Sequence, residues 1–379
     1  MSPSRLALRA LPVAALALVP RPASAHVKWF ADFAFTDPPL GLRAILTPTF
    51  WALTALSVIA LGALVLLDAR LDRAAAYGRV SAWLAGYRDR SGLVLRIAAG
   101  AVMLLNWQAN VLLAPELTGA APWAGWAQFG IALALLFRQT VPLAGAGLLV
   151  LFAVATAQAG AFHMLDYLYL AGFGVAFLVS TAPQERVRGL GLPALYATVG
   201  FSLCWVALEK LVFPQWGLYV IEQNPALALG FPVTFFLTAA AFVELALGYL
   251  LLIGLLERPL ALIITLVFFT TTLIFGKMEI IGHTMIHAAL VVFLIEGTGL
   301  MYRPPADFHR RTPLRVAFAG VNFAILLAAL LVPYTWGAAR VHDRAQRAAT
   351  QTEAAQTEVP GAGESPHADG AVHDHGARP

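Results

Sequence analysis

Apolar residues run together in ten stretches along the chain, at about 46–67, 93–114, 123–137, 141–159, 165–182, 193–213, 231–256, 259–276, 283–302 and 314–336. Each approaches the roughly 20 residues that a helix needs to cross the hydrocarbon core of a bilayer. In lipid every backbone N–H and C=O must be satisfied within the segment, so runs of this length imply helices. The pattern predicts an all-α integral membrane protein of about ten transmembrane helices. The stretch at 123–137 is short for a span.

The polar positions between these runs are not evenly charged. Arg70, Arg73, Arg79, Arg88 and Arg90 fill the first connection, Arg138 the third, Arg186 and Arg188 the fifth and Arg258 the seventh. Arg303, Arg310, Arg311 and Arg315 fill the ninth, whereas 115–122, 160–164 and 214–230 hold no Lys or Arg and 277–282 holds only Lys277. Cytoplasmic loops are enriched in Lys and Arg, so the odd-numbered connections are expected inside and both mature termini outside. The expected location is a bacterial-type inner (plasma) membrane.

Residues 1–25 read as a secretory signal, with Arg5 and Arg9 before the apolar stretch 11–19 and Ala23-Ser24-Ala25 as the cleavage site. Cleavage would make His26 the N-terminus; the competing reading, raised by Pro20 and Pro22, is an uncleaved anchor. Residues 26–45, with Trp29, Phe30, Phe33 and Phe35, suit a membrane interface. Beyond about 340 the chain is polar and ends in a His-containing tail (His367, His373, His375) without the apolar content to fold alone.

Composition agrees with the pattern. The 379 residues are 59% hydrophobic and 12% charged, with a mean hydropathy of +0.74 and an isoelectric point near 9.4. Soluble domains carry about 25% charge. The Arg residues lie in short loops, so they read as topology and not as a nucleic-acid footprint. Cys204 is the one cysteine, which excludes an intrachain disulfide and a C-x-x-C redox pair. No phosphate loop, nucleophile triad or dinucleotide fingerprint occurs, which argues against a self-contained enzyme of the soluble type.

An internal repeat divides the middle of the chain. Arg138 precedes His163 by 25 positions and Arg258 precedes His283 by 25, an offset of 120 between copies. Leu95-x4-Gly100 matches Leu195-x4-Gly200 at an offset of about 100. Two four-helix units are expected, 93–182 and 193–302, with one extra helix on each side at 46–67 and 314–336. The second copy holds more of the polar residues: Glu209-Lys210 stands where the first has Ala109-Asn110, and His287 where the first has Tyr167. The first keeps His163 and Asp166.

Ionisable groups at membrane depth are costly and mark function by default. Glu244 lies in mid-span, as a proton- or quinol-binding carboxylate or as the partner of Lys210 or Lys277. Glu209 and Lys210, about 100° apart on a helix, cannot face one partner. The stretch Gly276-Lys277-Met278-Glu279-Ile280-Ile281-Gly282-His283-Thr284-Met285-Ile286-His287 gathers Lys277, Glu279, His283 and His287 at a junction between spans. His283 and His287 share a helix face and could chelate one metal ion with a third ligand from Glu244, His163 or His26, or else donate hydrogen bonds in the bundle. A processed His26, offering amine and imidazole, suits copper. Asn106, Trp107 and Gln108 are expected to bond between helices.

Three motifs carry a family resemblance: Gly200-x8-Glu209-Lys210, Glu244-x3-Gly248-x5-Gly254 and Gly276-x2-Glu279-x2-Gly282-His283. With these the chain resembles the DoxX/DoxD-like membrane proteins, closely over 193–300 and loosely over 93–182. The resemblance implies four-helix bundles associated with quinone-linked respiratory or sulfur-oxidising oxidoreductases, often as a small subunit. It does not reach the His26 segment, the outer spans or the tail. Three functions follow as expectations. One is a redox-associated subunit that binds quinol or a metal in a polar pocket at the outer face of the second unit, through Glu209, Lys210, Glu244, Lys277, Glu279, His283 and His287. The second is a metal-handling membrane protein, for copper above all, that collects ions with the tail and His26 and passes them inward, with His163, His283 and His287 as further candidate ligands. The third is a non-catalytic assembly subunit. The expected partners are the lipid bilayer and respiratory or oxidoreductase subunits.

Overall fold

A computed structural model describes residues 34–119, 121–275, 277–299 and 302–357. Side chains of 271–280 and 353–357 lie outside the description, as do His26, the signal segment and the His-containing tail. Among the described residues the chain is helical, with one isolated bridge between Val111 and Thr118.

Helix α1 (Pro48–Leu71) starts on a Thr47 cap, whose Oγ1 accepts from the Phe50 N–H, with Pro48 in the first turn. This placement suits both residues: the cap satisfies an orphan donor and Pro has none to lose. After α2 (Ala75–Ala85) come α3 (Ser91–Ala109), α4 (Pro122–Ala134) and α5 (Val141–Ala159). A broken passage through 161–167 leads into α6 (Leu168–Val179). Then follow α7 (Gly191–Val212), α8 (Pro214–Gln223), α9 (Val233–Ile253), α10 (Glu257–Phe275), α11 (Lys277–Glu296) and α12 (Thr312–Thr357). Gly254 ends α9 in the left-handed conformation that a side chain would disfavour.

Among the described residues seven segments are long and apolar enough to cross a membrane: Pro48–Leu71, Arg88–Ala109, Arg138–Ala159, Ala161–Val179, Glu185–Val212, Val233–Ile253 and Thr312–Thr352. Their outward faces are apolar too, with Ile59 69%, Ile97 63% and Leu143 68% exposed. A helix that is apolar all round belongs in lipid, not water, so the chain is a membrane-embedded helical protein.

The packing runs from neighbour to neighbour. α3 lies on α4, α4 on α5, α5 on α6, α6 on α7, α7 on α9, α9 on α10, α10 on α11, and α11 returns to α3. The two expected units therefore join at both ends, through α6 on α7 and α11 on α3. α1 packs on α9 and on α12. One continuous apolar core, from Phe50 to Ala338, runs through all of these. α7 and α9 approach closely: a Cβ on Gly200 would stand 2.7 Å from the Gly248 carbonyl oxygen and a Cβ on Gly248 would stand 2.7 Å from that of Gly200.

At the end of the molecule that carries Lys210, residues 34–40 lie across the helices. The Trp216 indole donates to Asp37 Oδ2 at 2.7 Å, the Leu40 N–H to the Val212 carbonyl at 2.8 Å and the Gln215 amide to Pro38 O at 3.2 Å. The far part of α12 reaches the same segment, with His342 Nδ1 3.1 Å from Phe35 O and Gln346 donating to Thr36 O.

Candidate functional site: a polar band at one end of the helices

Two polar groups lie at this end. In the first, Lys210, two residues before the end of α7, meets Glu244 in the middle of α9: Lys210 Nζ is 2.5 Å from Glu244 Oε2. Both are largely enclosed, the side chains being 17% and 22% exposed. Of the readings open for Glu244, the structure realises the pair with Lys210. Glu209, next along α7, points elsewhere, as its helical position requires, and is fully buried.

His283 and His287 share one face of α11, and both meet Phe268 of α10. The His283 ring stacks on it at 4.5 Å, while the His287 ring stands edge-on at 5.8 Å and lies 5.0 Å from Phe269. His283 is 5% exposed. Lys277 and Glu279 occupy the first turn of α11, and their side chains lie outside the description. Among the described residues no three or more His, Cys, Asp and Glu come together as a metal site.

The second group was not foreseen as a cluster. His163, expected among the metal ligands, has Nε2 3.2 Å from Glu116 Oε1, and the Tyr167 hydroxyl donates to the same oxygen. Burial pushes the Glu116 carboxyl up, but the hydrogen bond and charge of His163 and the bond from Tyr167 bring it below its ordinary range. Phe35 of the overlying segment stands edge-on to the His163 ring at 5.9 Å.

The loop between α3 and α4 is built to present Glu116. Asn106 donates from Nδ2 to Leu113 O, Gln128 donates to Val111 O, and Gln128 Oε1 accepts from the Leu113 N–H. Asn110 and Leu113 take positive φ to make the turn. Asn106 thus bonds the loop that follows its own helix and not a neighbouring helix, because the loop's carbonyls need a donor where water is excluded. Trp107 packs against Trp126 and Phe129 of α4. A signal for Glu116 existed in the sequence: it is the sole charge in Leu112-Leu113-Ala114-Pro115-Glu116-Leu117, a loop too apolar to be merely solvated.

Across α6 the second group reaches α7 and the His283 turn of α11. Tyr169 lies 6.4 Å ring to ring from Tyr167, its N–H donates to Ser202 Oγ on α7, and its hydroxyl donates to Gly282 O, just before His283. The band therefore runs from Glu116 and His163 through Tyr167 and Tyr169 to the turn of α11 that carries His283. This end offers carboxyl, amine and imidazole groups beside apolar walls. Such a set can bind and orient a small polar head and pass protons; it contains no assembled nucleophile triad.

No family model, no curated protein and no solved structure matches this chain.

Proposed function

We propose that the chain is a DoxX-like membrane subunit associated with redox chemistry, binding the head of a quinol at this polar band. The observation that carries the reading is the Lys210–Glu244 pair, 2.5 Å apart and mostly enclosed between α7 and α9. An ion pair at such depth costs several kcal/mol of desolvation per charge, and ionisable groups there serve function by default. A carboxylate accepts from a quinol hydroxyl and an ammonium donates to a quinone carbonyl, so the pair is suited to both redox forms. Glu209, Glu279 and Lys277 belong to the same reading as flanking groups.

The arrangement proposed with it has ten spans, two four-helix units at 93–182 and 193–302, an extra helix on each side, and both mature termini outside an inner membrane. Seven apolar helices support the embedding. The Arg-bearing connections support the orientation.

The test is quinone analysis of detergent-purified protein, with N-terminal sequencing of the same sample. Wild-type protein should retain quinone, and Glu244→Gln and His283→Asn should each lower the amount at least about tenfold, the worth of one charge-assisted hydrogen bond, while expression is unchanged. Unchanged quinone in both variants overturns the reading. Variants that bind normally and melt earlier would instead make the chain an assembly subunit. The i, i+4 pair His283 and His287, both against Phe268, favours metal handling as the second reading; copper or zinc in the purified sample would establish it.

A further inference from the structure

A cleft of about 470 Å³ opens at the opposite end of the molecule from Lys210, about 20 Å away along α7. That volume lies in the range of small-molecule sites. Its walls come from the starts of α3 and α7 and the ends of α6 and α11, so it sits where the two sequence copies meet. Equivalent residues face it in pairs. Arg88 and Arg188 stand 100 positions apart, as do Leu95 and Leu195, and all four line it. Ligand sites in membrane proteins built from repeats lie at such interfaces.

The two arginines differ in their partners. Glu296 takes up Arg88, with Arg88 Nε 3.2 Å from Glu296 Oε2, and Ser91 donates to Glu296 Oε1 at 2.7 Å. At the offset of 120 the residue matching Glu296 is Ala176, also in the wall. Arg188 has therefore lost the carboxylate that its counterpart keeps. It spends Nη1 on Ala182 O and Pro183 O, and among the described residues no carboxylate lies within 4.0 Å of it. Two long helices, α3 and α7, begin in this wall with no side-chain cap on either, and uncapped N-termini attract anions. Glu185, also at the mouth, has no cation within 4.0 Å among the described residues. Below these groups the lining is Leu95, Leu192, Leu195 and Val292.

One open cation, one open anion and an apolar floor together describe an amphiphile with a zwitterionic head. We propose that the cleft seats a phospholipid whose phosphate lies on Arg188 and the two helix starts. Its primary ammonium lies toward Glu185 and the first part of its tail on the leucines. Phosphatidylethanolamine has this chemistry; phosphatidylglycerol lacks the cation. The site is separate from the polar band and does not depend on it.

The test titrates lipid-stripped protein in mild detergent with phosphatidylethanolamine, phosphatidylglycerol or glycerophosphoethanolamine, which has the head without the tail, and follows the melting midpoint. Two variants accompany it. Arg188→Gln removes the open cation. Gly92→Leu narrows the cleft at a wall residue where an added Cβ meets nothing within 4 Å.

Phosphatidylethanolamine should stabilise the wild-type protein more than phosphatidylglycerol does, and the tail-less head should do nothing. Each variant should weaken the apparent affinity about tenfold or more. Native mass spectrometry should find one phosphatidylethanolamine held per wild-type chain, a readout independent of how the variants fold. Equal stabilisation of wild type and both variants, parity of the two lipids, an effect of the tail-less head, or no retained lipid overturns the proposal.

Discussion

Glu116 is nearly enclosed, its side chain 9% exposed, and still ionised, because His163 and Tyr167 outweigh the burial that would raise its carboxyl. A carboxyl lowered in the folded state adds stability that is present above the ordinary carboxylate range, near about pH 4.3, and is lost as pH falls through the lower folded value. Acid melting curves should therefore show wild-type stability dropping below about pH 4. Glu116→Gln should lose about 1–3 kcal/mol at neutral pH and show a weaker acid transition. At the other end the sign reverses. Partial burial and the Asp68 carboxylate, against Arg315, hold Asp72 above its ordinary range; at Asp307, partial burial outweighs Arg315 to the same effect. Their penalty appears as pH rises through the ordinary carboxylate value. Asp72→Asn should thus stabilise slightly at pH 7, by at most about 0.5 kcal/mol after solvent screening, and do nothing in acid; equal melting of variant and wild type at pH 7 would contradict this.

Among elements, α7 and α9 depend on two glycines. A Cβ on Gly248 would come 2.7 Å from Gly200 O and 2.8 Å from Cys204 Sγ, and small residues are what let membrane helices approach this closely. Gly248→Val should cost about 1–3 kcal/mol by overpacking and should also part Lys210 from Glu244; thermal melting with quinone content reads both effects. Apolar run length was enough to foresee these helices: the expected 193–213 and 231–256 are α7 and α9 with small end shifts. Glycines at positions 200 and 248 were noticed only as parts of motifs. Their partnership requires knowing which helix faces which, and period alone does not carry that in a segment apolar on every side. The same limit hid Glu116: the loop reads as a connection until Asn106 and Gln128 are seen bonding it.

At the scale of the whole molecule the spacing of Arg138, His163, Arg258 and His283 led to the expectation of a repeat, yet spacing did not reveal how 93–182 and 193–302 pack, with α6 on α7 and α11 on α3. The Lys210–Glu244 pair was among the foreseen options because a mid-span carboxylate needs a cation. The two proposed sites thus lie at opposite ends, the polar band at the end with His163 and Lys210 and the cleft at the end with Arg188.

The tie between Phe35 and His342, and between Thr36 and Gln346, has a bearing on synthesis. Ribosomal output is vectorial, and the lining that receives Phe35 against His163 is finished long before α12 emerges. The cover over that histidine is held first by Trp216, Gln215 and Val212 and gains its ties to His342 and Gln346 only once α12 is made. A chain halted before α12 would keep the cover tied at Asp37, Pro38 and Leu40 and lack the ties at Phe35 and Thr36, the part that stands over His163.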